Sequence, residues 1–374
     1  MLLAVATAVG ALAARPVSMP LAVAALVLGF TVRRPALLAL GSALLASALG
    51  AAAWAGLRPP VPHAVDASVT ILRDPATVGG AVRAVVRLGG RHVELTARGA
   101  PGRVLADRLA GERVLVRGTL EPLSTSVRAR LARQHVAAAL NARDVQAAGS
   151  GNVPSRVANR LRRVLVRGAS SIPREERTLF TGFVLGDDRG QSVETVDDFR
   201  SSGLSHLLVV SGENVAFCLA LAGPVLRRLP LSWRLVAGLV VLGLFGVLTR
   251  WEPSVLRAEA MAAIAMTASA LGRPVSTIRL LALAVTGLLL IDPLLVGSVG
   301  FLLSVGACAG IALFAGPLTA SLPAGLYTVT ANAAGSYTAR FTSLCEFRIE
   351  DDLKLISVRP APGTSTAVQS LFHK

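Results

Sequence analysis

The stretch "GLSHLLVVSGENVAF", residues 203–217, decides how the chain is read. It places His206, Ser211, Gly212, Glu213 and Asn214 at the mouth of a run dominated by Ala, Leu and Val. Polar groups in hydrocarbon are costly, so they face a water-filled path or another helix. Gly212 removes a side chain inside the cluster and weakens the helix there. A broken helix lining a cavity accounts for the pattern. The alternative is a span that begins near Val215, with the whole cluster in an exposed loop.

Composition sets the wider context. Hydrophobic residues make up 53% of the 374 and charged residues 16%, whereas soluble domains carry about 25% charged residues. The apolar residues are gathered in blocks, which points to an α-helical polytopic membrane protein. Net charge is +16, and 36 of the 38 basic residues are Arg. Both Lys, Lys354 and Lys374, and both Tyr, Tyr327 and Tyr337, fall near the end, so the composition shifts near residue 324. Cys218, Cys308 and Cys345 form no C-x-x-C pair and read as small buried hydrophobes. The five His show no ligand spacing. No metal and no cofactor is expected.

Three apolar segments open the chain, at 1–14, 17–32 and 35–57; the first is marginal for a span and suits a re-entrant segment. It lacks a basic n-region, so it reads as retained membrane structure rather than a signal peptide. Hydropathy collapses at "RPPVPH", residues 58–63, a Pro-rich boundary. Residues 58–153 then read as a small β domain. "DASVTILRD" is a strand, and "AVRAVVRL" and "RHVELTAR" flank Gly89-Gly90 as a hairpin. A helix at "RVLADRLA", a strand at "ERVLVRGTLEP" and a last strand near 142–147 follow. That order of elements suits an inserted OB-like β-barrel, a fold that binds single strands or sugars.

Residues 154–202 form a connector, amphipathic at first and then acidic. Arg156, Arg160, Arg163 and Arg167 recur at helical spacing beside Val157, Leu161, Val164 and Leu165. Such a helix either lies on an anionic lipid surface or packs, solvated, on its own domain. The run "GDDRGQSVETVDDF" carries Asp187, Asp188, Glu194, Asp197 and Asp198 without EF-hand spacing, and reads as a solvated loop entering a helix.

Residues 203–322 contain about five spans, at 203–226, 231–249, 253–271, 274–291 and 294–318. Arg33-Arg34, Arg227-Arg228 and Arg273 fall on one side under an alternating topology, which makes that side cytoplasmic. The β domain is then extracytoplasmic, despite 21 Arg against 9 acids across 58–177, because long domains escape the rule. In "PSVLRAEAMA", Arg257 and Glu259 lie early in a span and do not share a helical face. Arg257 lines a passage for phosphate or snorkels to the interface. Ser211 with His206 as its base would make a membrane-embedded hydrolase, although "VVSGE" lacks the G-x-S-x-G elbow.

Three stretches in order carry a resemblance: G-L-x-H-L-L-x-V-S-G-x-x-V at 203–215, P-S-x-x-R-A at 253–258 and D-P-x-x-x-x-x-x-x-F-x-L-S at 292–304. They resemble the competence domain of the ComEC family of DNA-uptake proteins, and the resemblance covers about residues 1–322. It implies a bacterial cytoplasmic (inner) membrane, multi-pass channel component that carries single-stranded DNA into the cell during natural transformation. Enzymatic activity is not expected: the metallo-β-lactamase-like domain of many members has no counterpart motif here. Residues 323–374 resemble nothing placed, and are expected to be disordered or the product of an interrupted frame. An inactive truncated fragment is therefore an alternative function, beside the Ser/His hydrolase.

Channel-lining candidates are His206, Ser211, Gly212, Glu213, Asn214, Arg257 and Glu259. DNA-binding candidates on the β domain are Arg83, Arg87, Arg91, Arg98 and Arg117, which would neutralise phosphates without reading sequence. The domain lacks Phe, Tyr and Trp, so weak binding is expected. Expected partners are single-stranded DNA, membrane lipid, other competence machinery proteins and a second copy of the chain.

Overall fold

The computed structural model describes residues 1–187, 189–202, 212–273, 275–321, 327–331, 337–341, 345–349 and 355–359. The chain divides into two units, Met1–Ala309 and Gly310–Lys374.

Three helices open the first unit: α1 (Leu2–Ala13), α2 (Met19–Thr31) and α3 (Pro35–Gly56). Pro20 and Pro35 stand in first turns, where a missing N–H leaves no bond unmade. α2 and α3 approach through glycine. A Cβ on Gly29 would collide with the backbone of Leu37 and Leu38, and one on Gly41 with Ala25 and Leu26.

The β domain follows. Its strands are β1 (His63–Ile71), β2 (Ala76–Val78), β3 (Ala81–Leu88), β4 (Arg91–Ala97), β5 (Arg113–Pro122) and β6 (Val136–Gly149). Helix α4 (Gly99–Ala106) separates β4 from β5, and α5 (Thr125–Leu131) separates β5 from β6. The sheet order is β1-β5-β6-β4-β3-β2, with β4 and β6 parallel. Gly89 and Gly90 turn the β3–β4 hairpin with φ of 53° and 84°, as the two-residue turn demands. Strand alternation buries Val82, Ala84 and Val86 with Val93, Leu95 and Ala97, around a core shared with Ile71, Val114 and Leu140.

The barrel expected from the order of elements is instead a mixed sheet. β1 touches β3 through only Thr70↔Arg87 and Ile71↔Val86, but pairs with β5 over eight residue pairs. β2 continues the sheet as a short edge beyond β3. The last strand is also longer than 142–147, because the buried Val136, Ala137, Ala138 and Leu140 extend it toward the N-terminus. α4 starts at Gly99, earlier than the apolar pattern indicated.

The connector contains α6 (Val153–Gly168), α7 (Arg174–Leu185) and α8 (Val193–Ser201). Asn152 caps α6 by accepting from the Ser155 N–H, and Ser192 caps α8 by accepting from that of Thr195. α6 buries Ala158, Asn159 and Arg162. Its Val153, Val157, Leu161 and Val164 stay exposed, beside Arg156, Arg160, Arg163 and Arg167. The helix thus packs on its own domain by one narrow face and leaves an apolar and a basic stripe uncovered.

Five helices complete the unit's bundle: α9 (Gly212–Leu226), α10 (Leu231–Leu248), α11 (Pro253–Ala270), α12 (Thr277–Ile291) and α13 (Val299–Ser321), the last continuing into the second unit. A short 3-10 turn, Pro293–Gly297, joins α12 to α13. Helices stand where the five segments were expected, with α12 and α13 starting three and five residues later; 203–211 lies outside the described residues. By length and composition α3 and α10 are apolar enough to cross a membrane; α1, α2 and α12 are apolar but shorter. Among the described residues of the second unit, β7 (Tyr327–Ala331), β8 (Tyr337–Phe341), β9 (Cys345–Ile349) and β10 (Leu355–Arg359) form an antiparallel sheet.

Candidate functional site

The three sequence stretches meet at Arg257. Val255 and Arg257 are both buried on α11, and Arg257 is 7% exposed. Its Nε donates to Ser304 Oγ on α13 at 2.8 Å, and its Nη1 to Cys308 Sγ at 2.6 Å and Met261 Sδ at 3.5 Å. Gly212, at the start of α9, packs against the same side chain. A Cβ there would stand 3.3 Å from Arg257 Nη2 and 3.0 Å from Ala258 Cβ. Arg257 therefore neither snorkels nor opens to water in this arrangement; it braces α11 against α13 beneath the start of α9.

Glu259 points elsewhere, as a residue two positions along a helix must. It is 6% exposed, and neither carboxylate oxygen has a hydrogen-bond partner among the described residues. Its Oε2 lies 2.8 Å from where a Cβ on Gly246 of α10 would sit, so that glycine makes the room. Asn214 donates from Nδ2 to the Phe183 carbonyl at 2.7 Å, which ties α9 to α7. Glu213 lies in α9. His206 and Ser211 lie outside the described residues.

A second polar centre joins the β domain to the bundle, and no motif in the chain announces it. Asp74, just past β1, accepts from the Ala110 N–H, from Arg162 Nη2 at 3.1 Å, and from Arg250 Nε and Nη2 at 3.1 and 2.9 Å. Arg162 also donates to Asp187 and to the carbonyls of Leu185 and Leu248, and so meets the open C-terminal ends of α7 and α10. Asn159 joins Arg250 to the Ala110 carbonyl. Burial alone would push the Asp74 carboxyl up, but Arg250 and Arg162 outweigh it and hold the group below the usual carboxylate range. Asp187 is likewise lowered: burial works upward, and Arg189 and Arg162 override it. The acidic run is thus not wholly solvated. Asp188, its neighbour, lies outside the described residues.

A third contact links the domains at the D-P stretch. His135 Nε2 hydrogen-bonds Asp292 Oδ1 at 2.9 Å, and the same carboxylate oxygen accepts from the Leu294 N–H. The Asp292 hydrogen bond raises the His135 value against the opposing effect of burial. Leu57, Ala132, Ala137 and Leu294 pack around this junction.

The five DNA-binding candidates do not make one stripe. Arg83 and Arg87 share the outer face of β3. Arg83 pairs with Glu94 across the hairpin at 4.0 Å. Arg91 and Arg98 stand at opposite ends of β4. Arg117 lies on β5, between β1 and β6, and is paired at 2.8 Å with Asp66, its cross-strand neighbour.

The signal for Ser304 was present in the quoted F-x-L-S pattern. For Asp74, Arg162 and Arg250 the only clue was Asn159 and Arg162 standing beside Ala158, away from the Val157–Leu161–Val164 stripe.

Comparison with known proteins bears on the bundle. No curated protein and no solved structure matches the chain. A family model described as "Competence protein" matches residues 183–345. The match takes in Gly212, Arg257, Ser304 and Asp292, and runs past 322 into the compositionally distinct tail. Residues 183–345 are thus similar to the domain that this family model describes, and the match stops short of the β domain and the first three helices.

Proposed function

We propose that the chain is a multi-pass component of a bacterial cytoplasmic membrane that conducts single-stranded DNA inward, with its β domain on the outer side. The observation that carries this reading is the convergence of Gly212, Arg257 and Ser304, from three separate stretches of the competence-family domain, on one buried guanidinium. A helix start stripped of its side chain beside a braced arginine suits a passage between α9 and α11 that widens when the brace yields. The reading assigns no bond-making step to the chain.

Three features support the membrane placement. The C-terminal ends of α3, α10 and α12 all reach the β domain, through Leu57, Arg250 just past α10, and Asp292. Arg33-Arg34, Arg227-Arg228 and Arg273 precede those same helices at their other ends. All three Trp sit at the ends of α3 and α10: Trp54 and Trp251 on the β-domain side and Trp233 opposite, each 45–65% exposed. Indoles at both ends are what two membrane–water interfaces favour. The β1–β3 touch and the parallel β4–β6 pair support an OB-like ancestry for the sheet.

Cysteine scanning tests the passage. His206, Ser211, Glu213 and Asn214 should react with a membrane-impermeant maleimide, whereas Leu207 and Val210 should not. The background replaces Cys218 and Cys345 by Ala, and Cys308 by Ser, so that Arg257 keeps an acceptor. Uniform labelling would indicate an exposed loop, and no labelling a lipid-facing helix; either result rejects the passage.

A further inference from the structure

A cavity of about 680 Å³ opens between β2, the end of α4, α6, α7, Asp187 and residues 189–191. Its volume falls in the range of small-ligand sites, about 300–1,000 Å³. Its two sides differ in chemistry. Val78 and Val166, both partly exposed, give an apolar wall, while Arg177, Arg189 and Gln191 give a wall of donors. The acid on the lining, Asp187, is held by Arg162 and Arg189 and has little charge to spare.

Two lining residues hold donors that the described residues leave unmet. Arg177 gives Nη2 to the carbonyls of Ser170 and Ile172, but its buried Nε has no partner. The buried Nε2 of Gln191 has none either. Buried donors without acceptors are rare in folded chains. Both atoms are closed to solvent as the side chains stand, so an acceptor in the cavity meets them once the side chains turn outward; beside guanidinium charge, an anion with several oxygens suits them.

We propose that this cavity binds a phosphate ester of nucleotide size, with phosphate oxygens against Arg177 and Gln191 and the apolar remainder against Val78 and Val166. The choice of a nucleotide rests on the DNA-handling reading; the anion site rests on the cavity itself. The ligand is either a free nucleotide or one unit of a strand.

The test uses the full chain in detergent, followed by thermal unfolding at constant ionic strength with chloride as the balancing anion. Inorganic phosphate, thymidine monophosphate and a short oligothymidylate are titrated in turn. At least one phosphate ester should stabilise saturably: the monophosphate as well as the oligomer for a free nucleotide, the oligomer alone for a strand unit. Gln191→Glu puts a carboxylate where the phosphate would lie. It should raise the unfolding temperature without phosphate and weaken phosphate-ester affinity tenfold or more. Arg177→Met should weaken binding similarly, but it also loses two carbonyl contacts, so Gln191→Glu is the decisive variant. Binding by none of the probes, or binding unchanged in Gln191→Glu, overturns the site. The outcome is independent of DNA uptake, so a chain that binds phosphate esters but conducts no DNA would refute the channel and keep the site.

Discussion

Arg257 and Ser304 stand 47 residues apart and are joined by a 2.8 Å hydrogen bond inside the helix bundle. A charge-assisted bond of this kind contributes about 1.5–3 kcal/mol. Ser304→Ala should destabilise the chain by about that amount, measured by thermal unfolding in detergent. Combined with Arg257→Met, the two losses should be less than additive, since the second change removes a bond already broken. Additive losses would show that the two residues act separately.

Gly212→Leu should loosen the bundle as well as obstruct it. The nearest atoms already stand 3.0 and 3.3 Å from a Cβ at this position, so a larger side chain must push α9 off α11. The variant should insert in the membrane yet show a lower unfolding temperature and no DNA uptake. Gly212→Ala, which adds one methyl, should retain part of both. Normal uptake by Gly212→Leu would place the passage elsewhere.

The Asp74 centre predicts an acid-sensitive junction. Its carboxyl value is lowered on folding, so its contribution is complete above the unfolded-state value of 3.8 and disappears as pH falls through the lower folded value. Asp74→Asn should flatten that dependence. Arg162→Met should cost about 3–5 kcal/mol, because it strips a buried partner from two carboxylates. Unfolding temperatures of the variants across the acid range check both statements.

His135 works in the opposite direction. Its value is raised by Asp292, so the stability it adds is present below the unfolded-state 6.5 and lost as pH rises through the higher folded value. Amide exchange at the start of β6 should therefore quicken on raising the pH beyond the intrinsic increase for free amides. Asp292→Asn should abolish the excess.

Topology has a direct readout. Reporter fusions after Gly149 and after Leu322 should give opposite signals, because the proposed topology puts five crossings between them. Matching signals would overturn the arrangement of spans.

What the sequence made legible follows from the range over which its signals act. Apolar blocks bounded by Pro and Arg pairs located the helices of the bundle, and Gly89-Gly90 located the hairpin, since both depend on neighbours. The acidic partners of two candidate arginines were not legible, because register, a long-range property, sets Asp66 opposite Arg117 and Glu94 within reach of Arg83. Arg162 stayed hidden for a different reason. In "RVANRLRRVLVR" it looks like its neighbours, and only packing against α10 and β1 singles it out.

The spacing of the Asp74 centre also orders the chain's biogenesis. Arg162 follows Asp74 by 88 residues and Arg250 by 176, so the ribosome delivers the acid long before its counterions. The sheet can fold early, yet the aspartate lacks one of its two guanidinium partners until α10 and the turn after it have been made. A nascent chain stalled before Arg250 would carry an open seam between sheet and helices. Completion of α10 closes the seam.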